Sequence, residues 1–177
     1  YTFTQNKTNE PAYKQAVANP KEVVTNFSGN PDFNAALTNY KWVDGAPSLT
    51  TVGTFTKQVE VELPADSTGV RVKQNVPVTV RVNPQAPVIS VGSTNETGGL
   101  PKRSIVVTNV TPGALVTLTL AGHTFTKTAK DNETSVTFEP TDLKKAYDGN
   151  NGLLPTGDVT AKSTVAGLDS EVTTSSI

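Results

Sequence analysis

The chain contains no cysteine and no methionine, and it has a single histidine and a single tryptophan. Without thiols no disulfide can staple a small domain, so any core is held by packing alone. One histidine and no cysteine do not fill a zinc shell. A Ser–His relay would have to use His123, which sits beside Gly122 at an expected hairpin and reads as an exposed residue at a strand start. No convergent acid pair or nucleophile–base arrangement stands out, so no catalytic residue and no cofactor are expected. No apolar run approaches the roughly 18 residues of a membrane-spanning helix. Charge is sparse and balanced, with 15 Lys and Arg against 16 Asp and Glu. Residues 1–85 carry 8 basic and 7 acidic side chains, and residues 86–177 carry 7 and 9. Neither half has the basic face that phosphate binding needs, so nucleic acid is not an expected partner.

What the chain does have is threonine and valine, 28 and 23 of them, the β-branched residues that suit strands. Its 177 residues fit one large domain or two small ones. The stretch Arg81 to Val91, R-V-N-P-Q-A-P-V-I-S-V, favours two. Pro84 and Pro87 lie between two strand-like runs, and proline fixes φ while pushing its predecessor into extended conformations. We read a short, stiff connector joining a module over 1–85 to a module over 86–177.

In the first module Tyr1–Thr4 alternates like a strand. Glu10-Pro11 opens a helix whose face takes Tyr13, Ala16 and Val17. A second short helix is expected over Lys21–Phe27, started by Pro20 and closed by Gly29 and Pro31. From Asn39 the pattern is β. Tyr40-Lys41-Trp42 begins a strand, Asp44-Gly45 and Pro47 turn, and Thr54–Leu63 sets Val59, Val61 and Leu63 against Gln58, Glu60 and Glu62. Pro64–Gly69 reads as a hairpin turn, after which Val76, Val78, Val80 and Val82 share one face.

In the second module Pro87–Val91 is a strand and Gly92–Pro101 a polar loop. Strands follow over Ser104–Val110, Leu115–Leu120, His123–Ala129 and Ser135–Phe138, with turns at Thr111–Ala114, Ala121-Gly122 and Asp131–Glu133. Val116, Leu118, Leu120 and Phe125 face inward. Thr141 caps one or two helical turns, and Gly157–Ala166 and Glu171–Ile177 complete about seven short strands, the spacing of a sandwich. The expected fold is therefore mainly β: two tandem immunoglobulin-like β-sandwich modules, the first with short N-terminal helices. The core is expected at Trp42, Val59, Val61, Val78, Val80, Val116, Leu118, Phe125 and Phe138.

Two resemblances follow from these residues. Tyr40-Lys41-Trp42, a Pro, a Gly, the strand Val59-Glu60-Val61, the turn Pro64-Ala65-Asp66-Ser67 and the strand Val76-Pro77-Val78-Thr79-Val80-Arg81-Val82 resemble the Rib/alpha-like repeats of Gram-positive surface proteins. That resemblance spans roughly Val23 to Val82, and departs where the family's Y-P-D-G-S turn is replaced by the longer Leu63–Gly69. The second module resembles the bacterial immunoglobulin-like repeats of cell-surface adhesins and biofilm proteins. It does so through Val110-Thr111-Pro112-Gly113-Ala114-Leu115-Val116-Thr117-Leu118, Gly122, the Asp131 turn before Val136-Thr137-Phe138, and Thr160 through Ser170. By that standard Ala146–Leu154 looks like an inserted loop.

The resemblances imply an extracellular, cell-wall-anchored setting and a non-enzymatic stalk that projects an adhesive region. The alternative they leave open is a segment that itself binds a host extracellular-matrix protein or glycan, or that self-associates in biofilm. The chain opens without a signal peptide and its last residues stop as if within a strand. We therefore expect a piece of a longer protein whose export signal and anchor lie elsewhere. Within it, Tyr147–Gly152 gathers oxygen ligands, and Asp148 and Asn150 are the calcium candidates, although Asx/Gly clusters are also ordinary turn chemistry. Tyr40 and Trp42 are the candidates for an aromatic ligand platform, weighed against Trp42 as a core plug. A Lys–Asn or Lys–Asp isopeptide crosslink would need a buried lysine, and no lysine lies on a clearly inward face. Sequons occur at Asn6, Asn26, Asn95, Asn109 and Asn132.

Overall fold

The computed structural model describes residues 1–20, 39–62, 69, 72–97 and 100–177, with side chains described outside 93–102. It is mainly β and divides into two compact units, Tyr1–Val82 and Asn83–Ile177, each around its own core.

The first unit is built on β4 (Lys73–Asn83), where valine alternates with polar residues. Val76, Val78, Val80 and Val82 are buried while Pro77, Thr79 and Arg81 are exposed, as a pleated strand with one solvated face requires. It pairs antiparallel with β3 (Gly53–Glu62), which brings Val59 and Val61 to the same core, and β3 pairs with β2 (Asn39–Trp42). With β1 (Thr2–Thr4) on the other edge, the sheet order is β1-β4-β3-β2. Each of these fully buried valines contributes about 1.5 to 3 kcal/mol.

Helix α1 (Pro11–Ala18) starts with proline at its first turn, where the missing N–H costs nothing. Ala16 is buried, Tyr13 donates its hydroxyl to Pro47 O at 2.7 Å, and the Tyr13 ring meets Phe3 edge-on at 5.4 Å between centroids. Val17, expected on this face, is 38% exposed instead. Tyr13 and Ala16 are three residues apart, and with Ala16 seated on the sheet its neighbour turns outward. The expected helix over Lys21–Phe27 and most of the turn over Pro64–Gly69 lie outside the described residues.

The second unit holds β5 (Val88–Thr97), β6 (Leu100–Thr108), β7 (Leu115–Leu120), β8 (His123–Thr128), β9 (Val136–Phe138), α2 (Lys144–Asp148), β10 (Asp158–Val165), β11 (Leu168–Asp169) and β12 (Thr173–Ser176). One sheet runs β5-β6-β9; the other runs β11-β10-β7-β8, with β12 also paired to β10. Ile105, Val107, Val136 and Phe138 from the first meet Val116, Leu118, Leu120, Phe125, Val159 and Ala161 from the second in one core. All nine residues expected in the two cores are buried. Ala121 and Gly122 both have positive φ, 49° and 78°, the mirror-image turn that fits a two-residue hairpin.

Two expectations are corrected here. Gly92–Pro101 is not a loop. β5 runs on to Thr97 and β6 begins at Leu100, the two paired antiparallel with a register shift between Val91 and Thr94. A Cβ on Gly92 would lie 2.6 Å from Ser104 Oγ and 3.1 Å from Ser104 O, so the strands approach closely at this glycine. Thr141 does not cap the helix, which begins at Lys144 after Leu143 with no side-chain cap. The Asp142 carboxylate instead accepts the Glu139 N–H at 2.9 Å, forming a turn that delays the helix. The stretch Ala146–Leu154, read as an inserted loop, supplies Ala146, Tyr147 and Leu154 to the core.

Candidate functional site

The calcium candidates lie at the end of α2 and in the turn after it. Asp148 pairs with Lys144 one helical turn away, and Asn150 Nδ2 donates to Leu153 O at 3.1 Å. No group of three or more His, Cys, Asp or Glu able to hold a metal occurs among the described residues. The Asp131–Glu133 turn closes on itself, with Lys130 N–H donating to Glu133 Oε2 at 3.4 Å.

Trp42 is 7% exposed, and its indole N–H donates to Ala16 O at 2.9 Å. That carbonyl lies in the last turn of α1, where no intrahelical donor remains, so Trp42 pins the helix to the sheet. Tyr40 is half-buried against the same core, and burial pushes its phenol pKa up. His123 is partly buried, with its ring 6.3 Å from that of Phe125.

Among the described residues no lysine is buried. Lys127 is one of the lysines that meet a carboxylate. Its ammonium lies 2.9 Å from Asp142 Oδ2, but both side chains are more than a third exposed. The lysine's hydrogen bond, and then the Glu139 N–H, hold the Asp142 carboxyl below its usual pKa. A second exposed carboxylate, Asp169, is held low first by the Thr164 hydroxyl and then by Lys162.

The arrangement that sequence reasoning missed lies at the strand ends. In the first unit the Tyr1 nitrogen donates to Thr79 O at 2.9 Å, and the Arg81 N–H donates to Tyr1 O at 2.7 Å. One residue thus bonds to both neighbours of Val80, the pattern of a parallel pair. The first and last strands of this unit run side by side in the same direction. Beyond β1, Gln5 Nε2 donates to Thr50 O at 3.1 Å and the Asn6 N–H to Leu49 O at 2.9 Å, continuing the anchorage.

In the second unit the proline segment that leads into β5 is held from two sides. Thr173 donates its hydroxyl to Pro87 O at 2.5 Å. Asn109, at φ 58°, donates to Ala86 O at 2.9 Å and accepts from Gln85 Nε2 at 3.2 Å. Asparagine tolerates that left-handed conformation better than most residues. The last residue is also tied in, as Gly157 and Ile177 exchange both backbone bonds.

No helix among the described residues is long and apolar enough to cross a membrane. No protein-family model matches the chain, and no solved structure matches it.

Proposed function

We propose that this chain is a force-bearing spacer of a Gram-positive cell-surface adhesin or biofilm protein, anchored to the wall through other regions. In this reading it is not an enzyme, and it holds an adhesive region away from the cell. The first unit is a Rib/alpha-like module and the second an immunoglobulin-like sandwich, the reading suggested by the residue patterns around Tyr40–Trp42, Val76–Val82 and Val110–Leu118.

The observation that carries the proposal is the parallel pairing of β1 with β4. Tension applied at the two ends of the first unit pulls β1 backward and β4 forward. Their hydrogen bonds lie across that direction, so they are loaded together in shear rather than opened one at a time. The alternative, a segment that itself binds a matrix protein or glycan or self-associates, would use the features that exceed a plain spacer, the N-terminal helical segment and the loop at 146–154. That stretch supplies Ala146, Tyr147 and Leu154 to the core, which favours the spacer.

Single-molecule pulling between residues 1 and 177 tests the reading. Extension of the first unit should show a distinct force peak followed by release of about 3.3 to 3.6 Å of chain for each residue freed. A first unit that lengthens smoothly, with no peak, would rule out a load-bearing role.

A further inference from the structure

Among the described residues strand β8 is an edge strand, paired to β7 on one side only. The two-residue turn at Ala121-Gly122 makes Leu120 and His123 a hydrogen-bonded pair, and Ala129 N–H to Ala114 O at 2.9 Å fixes the same alternation at the far end. Phe125 and Lys127 therefore spend their backbone groups on β7. Thr124, Thr126 and Thr128 turn theirs outward, to the open edge. Such a row is a template for another chain's strand.

The side chains alternate the other way. Lys127 stands opposite Val116, a residue with no exposure, so it projects from the core face of the sheet. Its ammonium crosses to the opposite sheet, donating to Thr137 O of β9 at 2.8 Å and to Asp142 Oδ2 at 2.9 Å. Open space lies on both sides of this bridge. One cleft of about 440 Å³ is lined by Thr124, Thr126 and Phe138, and another of about 430 Å³ by Thr128, Ser135 and Thr137. The first cleft is also lined by Lys144, Lys145 and Asp148 and the second by Lys130, Glu133 and Glu139, charged side chains that flank the bridge.

From these observations we infer that Lys127 is an edge guard, keeping β8 from pairing with β8 of a second copy of this chain. An added strand sits about 4.8 Å from β8. Its core-face side chains would cover the ammonium and cut it off from water, which is costly for a charge. An inward-pointing charge in an edge strand is one of the recognised ways of closing such an edge. This inference is independent of the spacer reading.

Sedimentation of the full chain over a wide concentration range tests it. Lys127→Val should move the average mass from that of wild type toward twice the 18.6 kDa monomer as concentration rises. Lys127→Arg, which keeps a charge, should sediment as wild type does. The double variant Lys127→Val/Thr126→Pro lacks one outward N–H of the edge and should return to the wild-type mass. If Lys127→Val does not fold, as judged by circular dichroism, Lys127→Gln takes its place with the same expectations. A folded, charge-free variant that gains no mass over wild type overturns the inference. So does association that survives Thr126→Pro.

Discussion

The Tyr147 hydroxyl meets the backbone of Arg103 twice, donating to its carbonyl oxygen at 2.5 Å and accepting from its N–H. β9 ends at Phe138, opposite Ile105, so no strand reaches Arg103 on that side. A side chain on α2 thus completes the ladder where backbone runs out. Tyr147 is 2% exposed, and its ring is one of the largest fully buried groups in its unit. Removing the oxygen alone, by Tyr147→Phe, should cost about 2 kcal/mol, since two strand groups lose their partner at once. Urea unfolding followed by circular dichroism would report it. Trp42 fluorescence, which comes only from the first unit, should keep its midpoint.

The same phenol sets an alkaline limit. Burial raises the Tyr147 pKa, against the smaller opposing effect of the Arg103 backbone. A group whose folded pKa exceeds its unfolded value, about 10 for tyrosine, adds stability that is whole below that pH. The contribution is lost as pH rises through the folded value. The stability gap between wild type and Tyr147→Phe should therefore narrow in alkali, and a gap that widens would contradict this account. Asp142 and Asp169 behave in the opposite sense. Their depressed pKa values contribute stability above about pH 4 that fades as pH falls, and Asp142→Asn should blunt that acid response.

Arg81→Pro removes the N–H that β4 gives to Tyr1 O. The bond faces β1, so pairing with β3 through the flanking residues is kept. Pulling experiments should show a lower peak force for the first unit and an unchanged one for the second. An unaltered first peak would place its resistance elsewhere.

Val80 and Leu118 are fully buried, one in each core. Val80→Asp or Leu118→Asp places an unpaired carboxylate in an apolar setting and should unfold the unit that carries it. Loss of the Trp42 signal in Val80→Asp but not in Leu118→Asp would be the expected pattern. A single transition that removes both units in either variant would show that they do not fold separately.

Much of this fold was legible because its signals are local. The alternation Val76–Val82, the Pro112-Gly113 turn and the Ala121-Gly122 hairpin each carry their own period or their own φ demand. Gly92–Pro101 escaped because a register shift between Val91 and Thr94 interrupts the period. Tyr147 and Leu154 escaped as core residues because the surrounding Asp, Asn and Gly read as a surface turn. Asp148 and Asn150 looked like ligands for the same reason; Asp148 pairs with Lys144 on the helix and Asn150 bonds to Leu153 O within the turn. The parallel pair at Tyr1 and Val80 had no local signature at all, since its partners lie some eighty residues apart in a chain full of threonine and valine.

That separation bears on how the first unit comes together. β2, β3 and β4 can pair as antiparallel neighbours, closing comparatively short loops. β1 cannot find its place until β4 exists, and closing so long a loop is slow even though its entropy grows only gently with length. On the ribosome, Tyr1–Thr4 is made well before its partner and must wait, with Phe3 uncovered, for Val76–Val82 to follow. The segment that completes the sheet is synthesised early and docks late.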